Sequence, residues 1–139
     1  MTAVLVDTGA WIALGSPRDE HHVAATKHYE TLRPTPLVTT NYVVAETAAH
    51  LRYGAGLASA LAFKSLLERA AAKDRLRIVW IDPRLEAEGW SLLRQHANVR
   101  LSLTDATSAA VARHRRVREI FGFDRDFEAL GFTVTPATR

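Results

Sequence analysis

Four acidic residues stand at positions that folding alone does not call for. Asp7 directly follows the apolar run Ala3 to Val6, and Asp124 follows Ile120-Phe121-Gly122-Phe123, so each carboxylate is expected at the carboxyl edge of a buried strand. Glu46 shares a predicted helical stripe with Val43, Ala49 and His50 and is expected to look toward the sheet. Asp105 opens another predicted helix, directly after Leu101-Ser102-Leu103. Four carboxylates at one edge raise one another's pKa unless a cation neutralises them. With no cysteine in the chain and no well-placed His pair, an all-oxygen set suits a hard ion that keeps its waters, Mg²⁺ or Mn²⁺, over zinc. Such an ion carries water to a phosphodiester and offsets the charge on the transferring phosphoryl group.

Each acid also has a plainer role. Asp105 after Thr104 suits the positive end of a helix, Asp7 can cap a helix from Ala10, and Asp124 can be a turn residue. For Glu46 the alternative is a pairing with His50 or Arg52. The case for chemistry therefore rests on the four together.

The elements that must position them follow from periodicity. Short apolar strands are expected at Ala3–Val6, Leu37–Val38, Leu76–Ile81 and Val117–Phe123, with a possible fifth at Phe132–Val134. Helical turns over Ala10–Leu14 and helices over His21–Leu32, Tyr42–Arg52, Leu57–Lys73, Arg84–His96 and Asp105 to about Arg115 separate them. Thr39-Thr40-Asn41 and Thr104 supply the expected caps of two of these helices. The order β-α-α-β-α-α-β-α-α-β-β, with nearly uninterrupted apolar strands, predicts an α/β fold with a mainly parallel sheet covered on both faces.

Composition agrees with one globular domain spanning residues 1–139. The chain is 47% hydrophobic and 24% charged, long enough to bury a core without disulfides. The absence of cysteine rules out thiolate zinc sites and Cys nucleophiles. The apolar runs are too short to span a membrane and the first residues lack a signal-peptide pattern, so a cytoplasmic protein is expected. The net charge of +3 is uneven: the surplus of cations, most of them Arg, sits in the second half, which permits a nucleic-acid partner.

The residues themselves carry a resemblance. Val6-Asp7-Thr8, Val43-Val44-Ala45-Glu46, Leu101-Ser102-Leu103-Thr104-Asp105-Ala106 with Ser108, and Gly122-Phe123-Asp124-Arg125-Asp126-Phe127 resemble, in this order, the acidic signature of PIN-domain ribonucleases. Length and order are most similar to the VapC-type toxins of type II toxin–antitoxin pairs, over about Val4 to Val134. The resemblance implies a three-layer α/β/α sandwich with a sheet of four to five strands. It implies that Asp7, Glu46, Asp105 and Asp124 are catalytic and hold one or two Mg²⁺ or Mn²⁺ ions, with Asp126 the alternate fourth ligand and the Thr8 hydroxyl supporting the acids by hydrogen bonding. The implied reaction is endonucleolytic hydrolysis of RNA through a metal-activated water. The implied partners are RNA, a cognate antitoxin and a second copy of the chain in a homodimer.

Other features are weighed beside it. Arg113, Arg115 and Arg116 lie in a basic run at the end of the Asp105 helix and serve its dipole or form an RNA-backbone patch; Arg100 and Arg125 adjoin acidic motifs and are further RNA-binding candidates. His21, His22 and His28 are expected on an exposed helix, solvated. Trp11, Trp80 and Trp90 are expected in the core or at subunit contacts, and the Leu57–Ala70 stripe in the core unless a partner helix covers it. Two other functions compete: a different Mg²⁺-dependent phosphoryl-transfer enzyme, and a non-catalytic RNA-binding module. The first lacks a second Asp two residues after Asp7 and an obvious catalytic Lys.

Overall fold

A computed structural model describes residues 2–137. Five strands, β1 (Val4–Val6), β2 (Leu37–Thr40), β3 (Leu76–Val79), β4 (Glu119–Phe121) and β5 (Thr133–Thr135), form one sheet in the order β3-β2-β1-β4-β5. Every pairing is parallel. Six α-helices connect them: α1 (Thr8–Gly15), α2 (His22–Thr31), α3 (Asn41–Gly54), α4 (Leu57–Ala72), α5 (Pro83–Gln95) and α6 (Leu103–His114). A 3₁₀ helix, Arg125–Leu130, joins β4 to β5.

The layers follow from the alternation of side chains along a strand. Val4 and Val6 face a core built with α1 to α4 around Trp11, Leu51, Phe63 and Leu67. Leu5 faces the opposite core, built with Leu92 of α5 and the buried run Ala106 to Ala112 of α6. Burial on both faces is why β1 is apolar at every position, as a central parallel strand requires. The three-layer α/β/α sandwich expected from the sequence is observed, with a fully parallel sheet of five strands.

Several boundaries differ from expectation, each for a local reason. The fourth strand contracts to Glu119–Phe121 because the Val117 amide turns back to the Ala112 carbonyl, closing α6. The third ends at Val79, and the Ile81 amide beyond it donates to Asn41 Oδ1 at 2.7 Å. Asp105 does not begin its helix: Ser102, not Thr104, caps α6. On α4 the buried face is Phe63, Leu67 and Ala70, whereas Leu57 and Leu61 are exposed. Trp11 is in the core, with its indole N–H donating to Thr39 Oγ1, but Trp80 is 74% exposed and Trp90 55%.

The three histidines depart from the solvated reading. His22 Nδ1 lies 2.7 Å from the Ala13 carbonyl and His28 Nε2 3.0 Å from Thr135 Oγ1. His21 stacks on Phe123 with ring centroids 4.1 Å apart. They fasten α2 to its neighbours. Burial holds His28 below the ordinary histidine pKa, partly opposed by Glu119.

Candidate functional site

The strand order places the site. From β1 the chain winds outward through β2 to β3, then returns to add β4 and β5 on the other side of β1. The crevice at the carboxyl ends of β1 and β4 is therefore the switch point of the sheet, where connections leave in opposite directions and a ligand finds room. Asp7 is the first residue beyond β1, and Asp124 the third beyond β4.

Asp7 is held there by main-chain bonds. Its amide donates to the Phe121 carbonyl of β4 at 2.9 Å, and its carbonyl accepts from Ala10 and Trp11 at the start of α1. Although it stands at the N-cap of α1, its side chain makes no capping hydrogen bond, so the expected capping role is not the one it plays. The residue is only 4% exposed, and its Oδ1 is buried without a partner among the described residues. Gly122 passes directly over it, since a Cβ at that position would lie 3.2 Å from the Asp7 Cβ. Burial first, then the charges of Asp105, Glu46 and Asp124, push the Asp7 carboxyl from its ordinary 3.8 to about 8, against a smaller opposing effect of the Thr8 amide.

The other three acids arrive from separate elements. Asp105 is the third residue of α6 and half of a capping box: its amide donates to Ser102 Oγ at 3.1 Å, and its Oδ2 accepts from the Ser102 amide at 2.9 Å. Its pKa is raised by burial, with Asp124 and Glu46 adding to the rise and the Ser102 amide and hydroxyl opposing it. Asp105 thus serves both the helix and the acid cluster. Asp124 caps the 3₁₀ helix, its Oδ1 accepting from the Asp126 amide at 2.9 Å. Of the two acids in that motif, Asp124 is the one whose charge acts on both Asp7 and Asp105. Glu46 corrects an expectation, because the inward face of α3 is Val43, Thr47 and Leu51 and Glu46 is exposed. Its charge still acts on Asp7 and Asp105.

The structure thus brings the four acids within electrostatic reach. Among the described residues, however, no three His, Asp or Glu side chains stand close enough to cage an ion by themselves. Mg²⁺ seldom asks for such a cage, since it keeps several waters and takes one or two carboxylates directly. The donor chemistry is all oxygen, and the unpartnered Asp7 Oδ1 is a buried acceptor lacking its donor or cation. The residues present fit a hydrated hard ion. The hydroxyls of Thr8 and Ser108 are likewise buried and unpartnered, so Thr8 acts on Asp7 through its amide rather than through the expected hydroxyl bond. Ser108 was visible in the sequence only as part of a motif; it lies one turn beyond Asp105.

With this arrangement in view, comparison with known proteins is decisive. The sequence pattern of the family described as PIN domain matches residues 4–133. The chain belongs to the PIN domain family. Among curated PIN relatives, the 23S rRNA-specific endonuclease VapC20 of Mycobacterium tuberculosis is 34% identical over 129 residues, 93% of this chain and 95% of that protein. The crystal structure of M. tuberculosis VapC20, described as a sarcin-ricin loop cleaving toxin, superposes with a TM-score of 0.85 at 30% identity, covering 94% of this chain and 97% of that one. Two more distant structures share the fold: PAE2754 from Pyrobaculum aerophilum (TM-score 0.64, 21% identity, 96% of this chain and 89% of that one) and FitAcB from Neisseria gonorrhoeae (0.64, 17%, 94% and 95%). The chain groups with the VapC-type nucleases of the PIN family.

The expected RNA-binding cations are dispersed in this PIN fold. Arg125 is held bidentately by Glu128 of its own 3₁₀ helix, at 3.0 and 2.8 Å. Arg113 donates to the Leu130 carbonyl at 3.2 Å and so ties α6 to the end of that helix. Arg115 and Arg116 follow α6, whereas Asp105 is near its start, and a 12-residue helix is roughly 18 Å long. Arg115 and Arg116 lie at the opposite edge of the sheet from the acids, beside the starts of β1 and β2. Arg100 is exposed three residues ahead of α6, at the acidic end.

Proposed function

We propose that this chain is a Mg²⁺- or Mn²⁺-dependent endoribonuclease acting as the toxin of a toxin–antitoxin pair, its PIN-like domain spanning residues 1–139. The observation that carries the reading is the buried, unpartnered Asp7 carboxylate at the switch point of the sheet, with the charges of Asp105, Glu46 and Asp124 acting on it. Similarity to VapC20 over nearly the whole chain supports an RNA substrate and makes a ribosomal RNA loop the first to try.

In this reading Asp7, Asp105, Glu46 and Asp124 hold the ion, with Asp126 engaged through its amide in placing Asp124. When bound, the ion supplies an activated water and neutralises charge on the scissile phosphoryl group. Glycine at 122 leaves room for the Asp7 side chain, since a Cβ there would lie 3.2 Å from the Asp7 Cβ, and the Ser102 box fixes Asp105. Arg100 is the cation placed to meet the RNA backbone near the acids. The exposed Tyr53, Leu57 and Leu61 on neighbouring stretches of α3 and α4 suit an apolar contact with an antitoxin helix or a second copy. No helix among the described residues is long and apolar enough to cross a membrane, in keeping with action in the cytoplasm.

The test is cleavage of an end-labelled ribosomal RNA hairpin with Mg²⁺ or Mn²⁺, with EDTA, and with Asp7→Asn. Cuts that require metal and disappear in the variant support the reading; cleavage that survives EDTA, or full activity in the variant, overturns it.

A further inference from the structure

The amino-terminal edge of the sheet, opposite the acids, carries a groove of about 870 Å³. Its floor is the start of β1 and β2, and its walls are the α4–β3 turn and the end of α6. Four arginines line it: Arg75 and Arg77 on the β3 side, Arg115 and Arg116 on the α6 side, with Asp74 the acid among its lining. From β3 across β2 and β1 to β4 is three interstrand steps, or roughly 14 Å. A second depression of about 530 Å³ shares Asp74 and Arg75 and adds Arg33 and Lys73.

The cations are free for a ligand. Among the described residues Arg77, Arg115 and Arg116 make no ion pair or side-chain hydrogen bond. Arg75 is the fixed member, donating to the Tyr29 carbonyl and lying 4.4 Å over the Tyr29 ring. Its Nε is buried without a partner.

The backbone supplies an independent observation. The non-glycine residues of positive φ among those described are Asp74 at 54° and Arg116 at 57°, and both line this groove. Each follows the cap of a helix closed by a six-residue amide bond, Arg75 to Ala70 in one and Val117 to Ala112 in the other. At the two other left-handed positions, 56 and 131, the chain has glycine. A residue with a Cβ costs roughly 1 kcal/mol there relative to glycine, so Arg116 is kept at a place where folding alone favours Gly.

We infer that this groove is a second RNA site, in which Arg77, Arg115 and Arg116 hold the phosphodiester backbone of a folded RNA at the edge of the sheet opposite the cleavage site. The guanidinium fork matches phosphate oxygens, and contacts of this kind fix orientation without reading sequence. Ala3 and Asp7 are about 13 Å apart along β1, so one RNA substrate is large enough to reach both edges. The inference takes RNA as the polyanion from the proposed function. The competing account is that Arg115 and Arg116 merely serve the dipole of α6.

Binding of a fluorescent RNA hairpin to the full chain in EDTA, where no metal-dependent cutting occurs, separates these accounts. Arg77→Gln, Arg115→Gln and Arg116→Gly are compared with Lys64→Gln, which removes one charge from the outer face of α4. Each groove variant is expected to weaken binding and to lower the slope of log affinity against log salt by about 1, Lys64→Gln by much less. Arg116→Gly is expected to lose affinity while its Tm holds or rises, because glycine relieves the left-handed backbone. Unchanged affinity in the groove variants, equal losses with Lys64→Gln, a fall in Tm without a loss of affinity, or equally tight binding of a polyglutamate peptide would each overturn the inference. The readout is independent of cleavage. A protein that binds through the groove but never cuts defeats the proposed function alone, and one that cuts but ignores the groove variants defeats only this inference.

Discussion

Asp7 concentrates the conflict between folding and chemistry in a single side chain. Its carboxyl titrates near 8 in the folded protein and near 3.8 in an ordinary environment, so between those values the unfolded chain has released a proton that the folded protein still holds. Stability without metal therefore falls as pH rises through that window, and Asp105, also raised, acts in the same direction. His28 works oppositely below 6.5, because its folded form resists protonation. Asp7→Asn keeps the shape and removes the charge. It is expected to raise Tm in EDTA at pH 8, to flatten the decline between pH 5 and pH 8, and to cut cleavage by more than the roughly 10–100-fold typical of residues behind a ligand. Thermal melts across pH in EDTA, beside a cleavage assay, check all three. Gly122→Ala adds a methyl against the Asp7 Cβ and should lower activity about 10–100-fold while circular dichroism stays that of the parent. Asp7, Asp124 and Asp105 were legible in the sequence because they follow a strand or lie in the first turn of a helix, positions that fix where a carboxylate goes, whereas Glu46, in the middle of α3, was expected on the inward face and is exposed. Gly122 was not legible, since its contribution is the side chain it lacks. The run from Arg113 to Arg116 was legible as a charge run, but its place at the edge of the sheet away from the acids was not, because a charge run does not say which edge its helix end reaches.

The elements were legible where packing and pattern agree and blurred where a local hydrogen bond moves a boundary. All five strands and six helices lie close to their expected places, and the all-parallel sheet follows from their alternation. The strand at Glu119–Phe121 is shorter than its apolar run because the preceding residues close α6, a bond that no periodicity announces. The cap of α6 moved from Thr104 to Ser102 because Leu103 already belongs to the helix, which puts Asp105 at the third position and makes the reciprocal box possible. Ser102→Ala is expected to cost about 1 kcal/mol in urea denaturation. The same change removes the hydroxyl, one of the two Ser102 groups that oppose the rise in the Asp105 pKa, while the Ser102 amide still donates to Oδ2, so it should also raise the Mg²⁺ concentration needed for half-maximal cleavage. A second element-level constraint is the close approach of α5 and α6 at Gly89, where a Cβ would lie 2.7 Å from Thr107 Cγ2. Gly89→Ala should destabilise by roughly 1–3 kcal/mol with Mg²⁺ dependence unaltered, since the strain falls on the α5–α6 contact.

At the scale of the whole molecule the net charge of +3 is an average over two opposed edges. Acids gather where β1 and β4 end, and unpaired arginines line the groove where β1 and β2 begin. The acidic edge is self-repelling in the absence of a cation, so under the proposed function divalent metal is expected to act as a stabilising ligand of the folded state alone. At a hundredfold excess over its dissociation constant such a ligand adds about 2.7 kcal/mol. For a chain of this length that corresponds to a rise in Tm of roughly 5–15 °C. The gain should be largest near pH 8, where the metal-free protein carries the greatest penalty, and should shrink toward pH 5 as protons occupy the carboxylates in place of the ion. Asp7→Asn should lose most of the metal-induced rise while starting from a higher metal-free Tm. Melts with saturating Mg²⁺ and with EDTA at the two pH values decide the matter. A metal shift independent of pH, or one that survives in Asp7→Asn, would show that the ion binds elsewhere than at the end of β1.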